Sequence, residues 1–401
     1  MTDAEKTLFD LIRAAASGSF YEIPATVDPV ALYRAVRRLH LGSFLWEYAS
    51  HLPESAVRTA WENDRQTAMM KDLMQSEETE AISEALSSAG IRFAFLKGTE
   101  LKRLWGDPSF RYMGDTDFYY EGDDLVLRRT LEELGYVAER FGGRDFSHHF
   151  VFKKEPWFIL EPHFALLDAT DPYAEMLTGI LDRATPDPVL AGRYRLSSED
   201  LYLHCLIHLR KHIAGGGIGV RSFLDFAFLL REYPDLPERA RVREVLDAAG
   251  LGEMESRVRR VARLLSDPAA IPDREDEREL SAILGAGLFG SFENEVGNRL
   301  ESERARSRFP RLRVALKCAF PPLLSMAHRR FRAPLSWLVY PFFWLRRTVL
   351  ILFSRSRRKK TGETFRALAA YPSEGENRGR ELRYFGLSPE GEGGGEDKRR
   401  D

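Results

Sequence analysis

Along residues 1–90 apolar positions recur at helical spacing, with Thr2-Asp3 placed to cap a first helix and further helical runs over 29–40 and 56–89. At 91–96 the pattern changes to a short apolar run that reads as a buried strand ending at Lys97-Gly98-Thr99. Asp123-Asp124 caps a predicted helix over 125–134 that stops at Gly135. The runs 147–153 and 157–163 flank Lys154-Glu155-Pro156 and predict a hairpin. Helical periodicity returns over 198–232, opened by Ser197-Ser198-Glu199-Asp200, and continues to about residue 353. The pattern predicts an α+β protein in which a small mixed sheet with flanking helices, at 91–190, lies between an N-terminal helical region (1–90) and a C-terminal one (191–355). Residues 356–401 read as a basic and then low-complexity tail, disordered from 371 onward because Gly, Glu, Ser and Arg dominate it.

Composition narrows the class. The 401 residues suffice for two or three modules, and a formal net charge of −2 gives no specific signal for nucleic acid. Two cysteines, Cys205 and Cys318, supply neither a disulfide framework nor zinc-ribbon spacing, and residues 1–18 lack an apolar signal core, so the expected compartment is the cytoplasm. The aromatic run 335–345 is too short to span a bilayer, and Pro334, Pro341 and Arg346-Arg347 interrupt the region. The basic run Arg355-Ser356-Arg357-Arg358-Lys359-Lys360 that follows can either end a packed helix or rest on an anionic membrane surface or other polyanion.

The chemistry concentrates in Arg111-Tyr112-Met113-Gly114-Asp115-Thr116-Asp117. In an extended strand residues i and i+2 share a face, so Asp115 and Asp117 project together, and such a pair repels unless a cation lies between. By that argument removing one charge relieves the metal-free protein. Mg²⁺ uses one or two carboxylates together with substrate phosphates. Glu161 follows the apolar residues of Trp157-Phe158-Ile159-Leu160 and offers a third acid. Gly98 permits close backbone approach, Lys97 and Thr99 suit a phosphate, and Arg111 could neutralise a triphosphate or form a local ion pair. His204, His208 and His212 share a helical face, but interleaved leucines and the lack of a His-Glu-x-x-His arrangement favour packing or substrate contact over zinc. Arg221 and Asp225 stand at i,i+4 beyond a glycine loop and can pair; with His208 and His212 they are candidates for a helical wall facing an acceptor.

The set Leu96-Lys97-Gly98, Arg111, Asp115-Thr116-Asp117 and Glu161-Pro162-His163 resembles the uncharacterised nucleotidyltransferase family within the DNA polymerase beta-like nucleotidyltransferase superfamily, best over residues 75–190. The resemblance implies a nucleotidyltransferase sheet, Asp115 and Asp117 as ligands of Mg²⁺ or Mn²⁺ with Glu161 as third ligand or base, and Gly98-Thr99 as the phosphate turn. It adds His163 to the acceptor wall. The implied reaction moves a nucleoside monophosphate from an NTP to an unidentified acceptor with release of pyrophosphate. The alternative is a degenerate nucleotide- or partner-binding regulator, or a peripheral-membrane accessory protein of a biosynthetic pathway.

Overall fold

The computed structural model describes residues 3–142, 144, 147–168, 171–215, 219–285, 312–314 and 380–387. The chain divides into two compact units. The first comprises residues 1–210 and 218–288, the second 211–217 and 289–401.

The first unit opens with helices α1 (Asp3–Ser17), α2 (Pro29–Arg38), α3 (Trp46–Ala49) and the 33-residue α4 (Ala56–Ser88). Asp28 and Ser55 cap α2 and α4 through their side chains, each accepting a backbone N–H in the first turn. Seven strands then form one mixed sheet: β1 (Arg92–Phe95), β2 (Thr116–Glu121), β3 (Val137–Arg140), β4 (Val151–Lys154), β5 (Phe158–His163), β6 (Thr185–Pro186) and β7 (Arg193–Arg195). Their order is β3-β4-β5-β2-β1-β7-β6. The central pair β2–β5 is parallel, β1–β2 and β4–β5 are antiparallel, and β1 runs parallel to β7. Two short helices connect the strands: α5 (Lys97–Leu101) follows β1, and α6 (Asp124–Glu133), capped by Asp123, links β2 to β3.

Alternation along the strands divides the sheet into two faces. Phe93 and Phe95 of β1, Phe118 and Tyr120 of β2, Phe152 of β4 and Leu160 of β5 pack with Ile82 and Leu86 of α4 and Leu127 and Leu131 of α6. Asp117, Glu161 and His163 fall in the opposite phase and project from the other face. The apolar core thus holds rigid the strands that carry the acids.

Further helices are α7 (Ser198–Gly215), α8 (Val220–Glu232), α9 (Ala240–Ala249), α10 (Gly252–Ser266) and α11 (Arg274–Gly285). The N-terminal helices pack on this group: Arg231 donates to the Ala16 carbonyl at 3.0 Å, and Arg38 to that of Leu284 at 3.1 Å. In the second unit, Arg380–Tyr384 forms a helical turn, with Leu382, Tyr384 and Phe385 buried. Residues 380–387 fall within the tail expected to be disordered, and burial of these apolar side chains is what holds the turn. The aromatic run 335–345, the basic run 355–360 and Cys318 lie outside the described residues. Among the described residues no helix is long and apolar enough to cross a membrane.

Candidate active site

The centre of the site is a register match. On the parallel pair β2–β5, Asp117 stands opposite Glu161 and Tyr119 opposite His163. Asp117 is 8% exposed, and both of its oxygens are engaged. His163 Nε2 donates to Oδ1 at 2.9 Å, and Lys97 Nζ stands 3.5 Å from Oδ2. Burial opposes the charge, but the Lys97 ammonium and the His163 ring outweigh it and hold the carboxyl well below the usual range. Asp117 is therefore a stable anion rather than a strained one.

Lys97 reaches Asp117 through its backbone. Its φ of 38° lies in the left-handed region, where a non-glycine residue sacrifices roughly 1 kcal/mol. The Leu96 amide donates to the Asp117 carbonyl at 3.0 Å immediately before this turn, which ties it to β2. Thr99 places a buried hydroxyl with no hydrogen-bond partner in the same turn.

Asp115 sits one residue ahead of β2, exposed at the rim, with protein atoms crowding one side of its carboxyl. That crowding and then Asp117 raise its pKa, against Lys97 and Arg221. Glu161 is pushed up to about 7, first by burial and then by Asp117 and Asp115. Three acids thus feel one another across one patch, which is the electrostatic condition for holding a cation. The ligand atoms that lie within 4.8 Å of one another are those of Asp117, Glu161 and His163, with Asp115 outside that group.

Arg111, read from the sequence as a triphosphate clamp or one half of a local ion pair, makes an ion pair across the fold. Its Nε and Nη2 donate to the two Asp225 oxygens of α8, both at 2.7 Å, and Trp105 Nε1 donates to Oδ1 at 2.9 Å. Arg111 and Asp225 are 8% and 6% exposed. This bidentate pair replaces the Arg221–Asp225 pairing that the i,i+4 spacing suggested, because a fork reaching in from the β2 side matches the carboxylate geometry. Arg221 instead donates to the Tyr112 carbonyl at 2.5 Å; burial and the nearby Arg111 charge lower its own pKa to about 10. Arg221 and Asp225 thereby fasten α8 to the segment that carries Asp115. A Cβ on Gly98 would lie 2.7 Å from Arg111 Nη1 and 3.1 Å from Met113 Cε. Only glycine lets the turn close over this ion pair. Gly98→Ala is accordingly expected to destabilise the fold by about 1–3 kcal/mol through overpacking, read as a lower denaturation midpoint; an unchanged midpoint would show that Arg111 yields without cost.

Three further histidines border the site: His148 and His149, which sequence reasoning left out, and His204, which it assigned to packing or substrate contact rather than zinc. His149 Nε2 is 3.5 Å from Glu161 Oε2 and contacts Arg140 Nη2 at 2.5 Å. Its pKa falls to about 3 through burial and the neighbouring His163 and His148 rings. His148 Nδ1 pairs with Asp168 Oδ1 at 2.9 Å. His204 of α7 is 1% exposed, has no hydrogen-bond partner on either ring nitrogen and stays neutral, with burial first and the Lys97 charge second. Asp117 acts on the His204 ring in the opposite sense, which puts this part of α7 within electrostatic range of the acidic face. The pair His148-His149 just before a strand was the available signal, but pairing with β5 was needed to give it a direction. The His208 ring lies near that of His204, tilted, with centroids 6.1 Å apart, while His212 belongs to the second unit. Pro162, which cannot donate to the ladder, still accepts from the Phe150 amide at 2.9 Å.

A mixed sheet with an acidic patch on its parallel central pair, beside a Lys-Gly-Thr turn, defines a protein of the nucleotidyltransferase fold. A family model described as uncharacterised nucleotidyltransferase matches residues 25–267, and the chain belongs to that family. No curated protein and no solved structure matches it.

Proposed function

We propose that this protein moves a nucleoside monophosphate from an NTP to an acceptor and releases pyrophosphate, with Asp115, Asp117 and Glu161 holding Mg²⁺ or Mn²⁺. The observation that carries the proposal is the Asp117–Glu161 register on adjacent parallel strands, with Asp115 close enough to raise Glu161. The donor set fits a hard dication. Carboxylate oxygens predominate, and the mutual repulsion that raises Asp115 and Glu161 is relieved by positive charge. Such an ion supplies charge neutralisation for the triphosphate and a lowered barrier for the attacking oxygen.

The chain's own groups divide the remaining work. Lys97 and the unpartnered Thr99 hydroxyl face the place where phosphate oxygens would lie, and His163 keeps the Asp117 carboxylate oriented. Glu161 would either complete the metal site or, where it stays off the metal, take the proton from the acceptor. Arg221, beside Asp115, completes the positive side of the cleft. Pyrophosphate release measured with each NTP, with and without Mg²⁺ or Mn²⁺, tests the reading; binding of NTP without any metal-dependent release would favour a regulator instead.

Glu161→Gln is expected to lower turnover more than NTP affinity, because Asp115 and Asp117 remain to hold the triphosphate. The same variant checks a pH effect. With the folded pKa raised to about 7 from 4.5, the metal-free native state binds this proton more tightly than the unfolded chain. This group's contribution to stability therefore falls as pH climbs through that window and is flat outside it. Chemical denaturation across the window should show a wild-type decline that is shallower in Glu161→Gln; parallel curves would mean the carboxyl titrates normally.

A further inference from the structure

We propose a second metal site, for a nitrogen-preferring divalent ion of the Zn²⁺ type, built by His148, His149 and His163 beside the carboxylates. One ring nitrogen from each of the three lies within 4.8 Å of one from each of the others. The ring centroids are 4.6 Å (His148–His149), 5.4 Å (His148–His163) and 5.0 Å (His149–His163) apart. Backbone pairing holds them there: His149 and His163 form an antiparallel bridge, and the Phe164 amide donates to the His148 carbonyl at 3.1 Å.

The hydrogen bonds leave lone pairs over. His163 Nε2 donates to Asp117, so its Nδ1 is the basic nitrogen; His163 is 2% exposed, and that Nδ1 has no partner. His148 Nδ1 faces Asp168, which leaves Nε2 as its basic nitrogen. His149 differs: its Nε2 accepts from Arg140 Nη2 at 2.5 Å, so this is its basic nitrogen and a metal ion would take the place of that guanidinium, while Nδ1, buried without a partner, carries the proton. The unpartnered buried Nδ1 of His163 is costly, and imidazoles whose basic nitrogens converge cannot satisfy one another. A metal ion accepts all three. In tetrahedral zinc sites Zn–N is about 2.0–2.1 Å, which puts ligand nitrogens roughly 3.4 Å apart, so the cluster would contract by at most about 1.4 Å on binding. Asp168 behind His148 and Asp117 behind His163 are carboxylates of the kind that fix the tautomer and orientation of metal-bound histidines. Three nitrogens select against Mg²⁺, which takes oxygen. The site therefore differs from the carboxylate site in ion as well as place, and His163, whose Nε2 donates to Asp117, lies between them.

Co²⁺ is the probe. The full-length protein, stripped with chelator and without nucleotide, should bind about one Co²⁺ with visible d–d absorption, displaced by Zn²⁺ and unaffected by a large excess of Mg²⁺. His148→Ala and His149→Ala should each weaken Co²⁺ binding by at least about 100-fold, and Asp168→Asn, a milder change that keeps both rings, by about 10–100-fold. Absence of the absorption in wild type would overturn the proposal. So would undiminished Co²⁺ binding in folded His149→Ala and Asp168→Asn. Loss of the signal in Asp115→Asn with the histidine variants intact would do the same, by placing the ion among the carboxylates. Because the readout needs no NTP, failure here is separable from failure of nucleotidyl transfer.

Discussion

Asp117→Asn is expected to abolish metal-dependent pyrophosphate release, by on the order of 10³-fold or more, since charge stabilisation is the main term such a site supplies. It is also expected to destabilise the fold, contrary to the simple view that removing one of two like charges brings relief. Asp117 is not the strained member of the pair. Lys97 and His163 hold it ionised, and Asn leaves a mostly buried Lys97 ammonium facing a neutral amide. A loss of about 1–3 kcal/mol follows from the weakened charge-assisted bonds. Asp115→Asn should behave differently, because the Asp115 pKa is raised and its charge is the one that repulsion penalises. Its apo stability should match or exceed wild type while turnover falls. Equal stability changes in the two variants, compared by chemical denaturation without metal, would show that the two acids are equivalent.

The second large effect is expected at Arg111. Truncation to Ala leaves the Asp225 carboxylate buried with only Trp105 Nε1 donating to it, and breaking one side of a buried pair costs roughly 3–5 kcal/mol. Asp225→Ala should cost a similar amount. The double variant should cost clearly less than the sum, because both single changes remove one interaction. Lysine at 111 should not rescue, since it lacks the planar fork that engages both oxygens. Urea denaturation of the four proteins measures this directly. If Arg111→Ala kept the wild-type midpoint and lost NTP binding, the guanidinium would be a nucleotide ligand and the Asp225 contact incidental.

Much of this protein could be read from local pattern. The apolar run before Lys97, the Asp123 cap, the stop at Gly135 and the hairpin around Lys154-Glu155-Pro156 each depend on neighbours within a few residues, and each element formed. Period-two alternation put Asp117 and Glu161 off the apolar face, because Phe118 and Leu160 had to enter the core. The family resemblance rested on the same short motifs. What local pattern could not supply was the pairing between distant segments. The parallel register of β2 and β5 made Asp117 and Glu161 partners across 44 positions of chain. The i,i+4 spacing of Arg221 and Asp225 predicted an ion pair, but a better-shaped fork arrived from Arg111, 114 residues away in the chain. The local signals of His148, His149 and His204 (a pair before a strand, and helical spacing) could not fix their roles, since a histidine's role depends on what its two nitrogens meet. Residue types and strand phase set which face was acidic; only the tertiary structure decided which charges pair, which stay repelled, and which ring nitrogens are buried with nothing to bind.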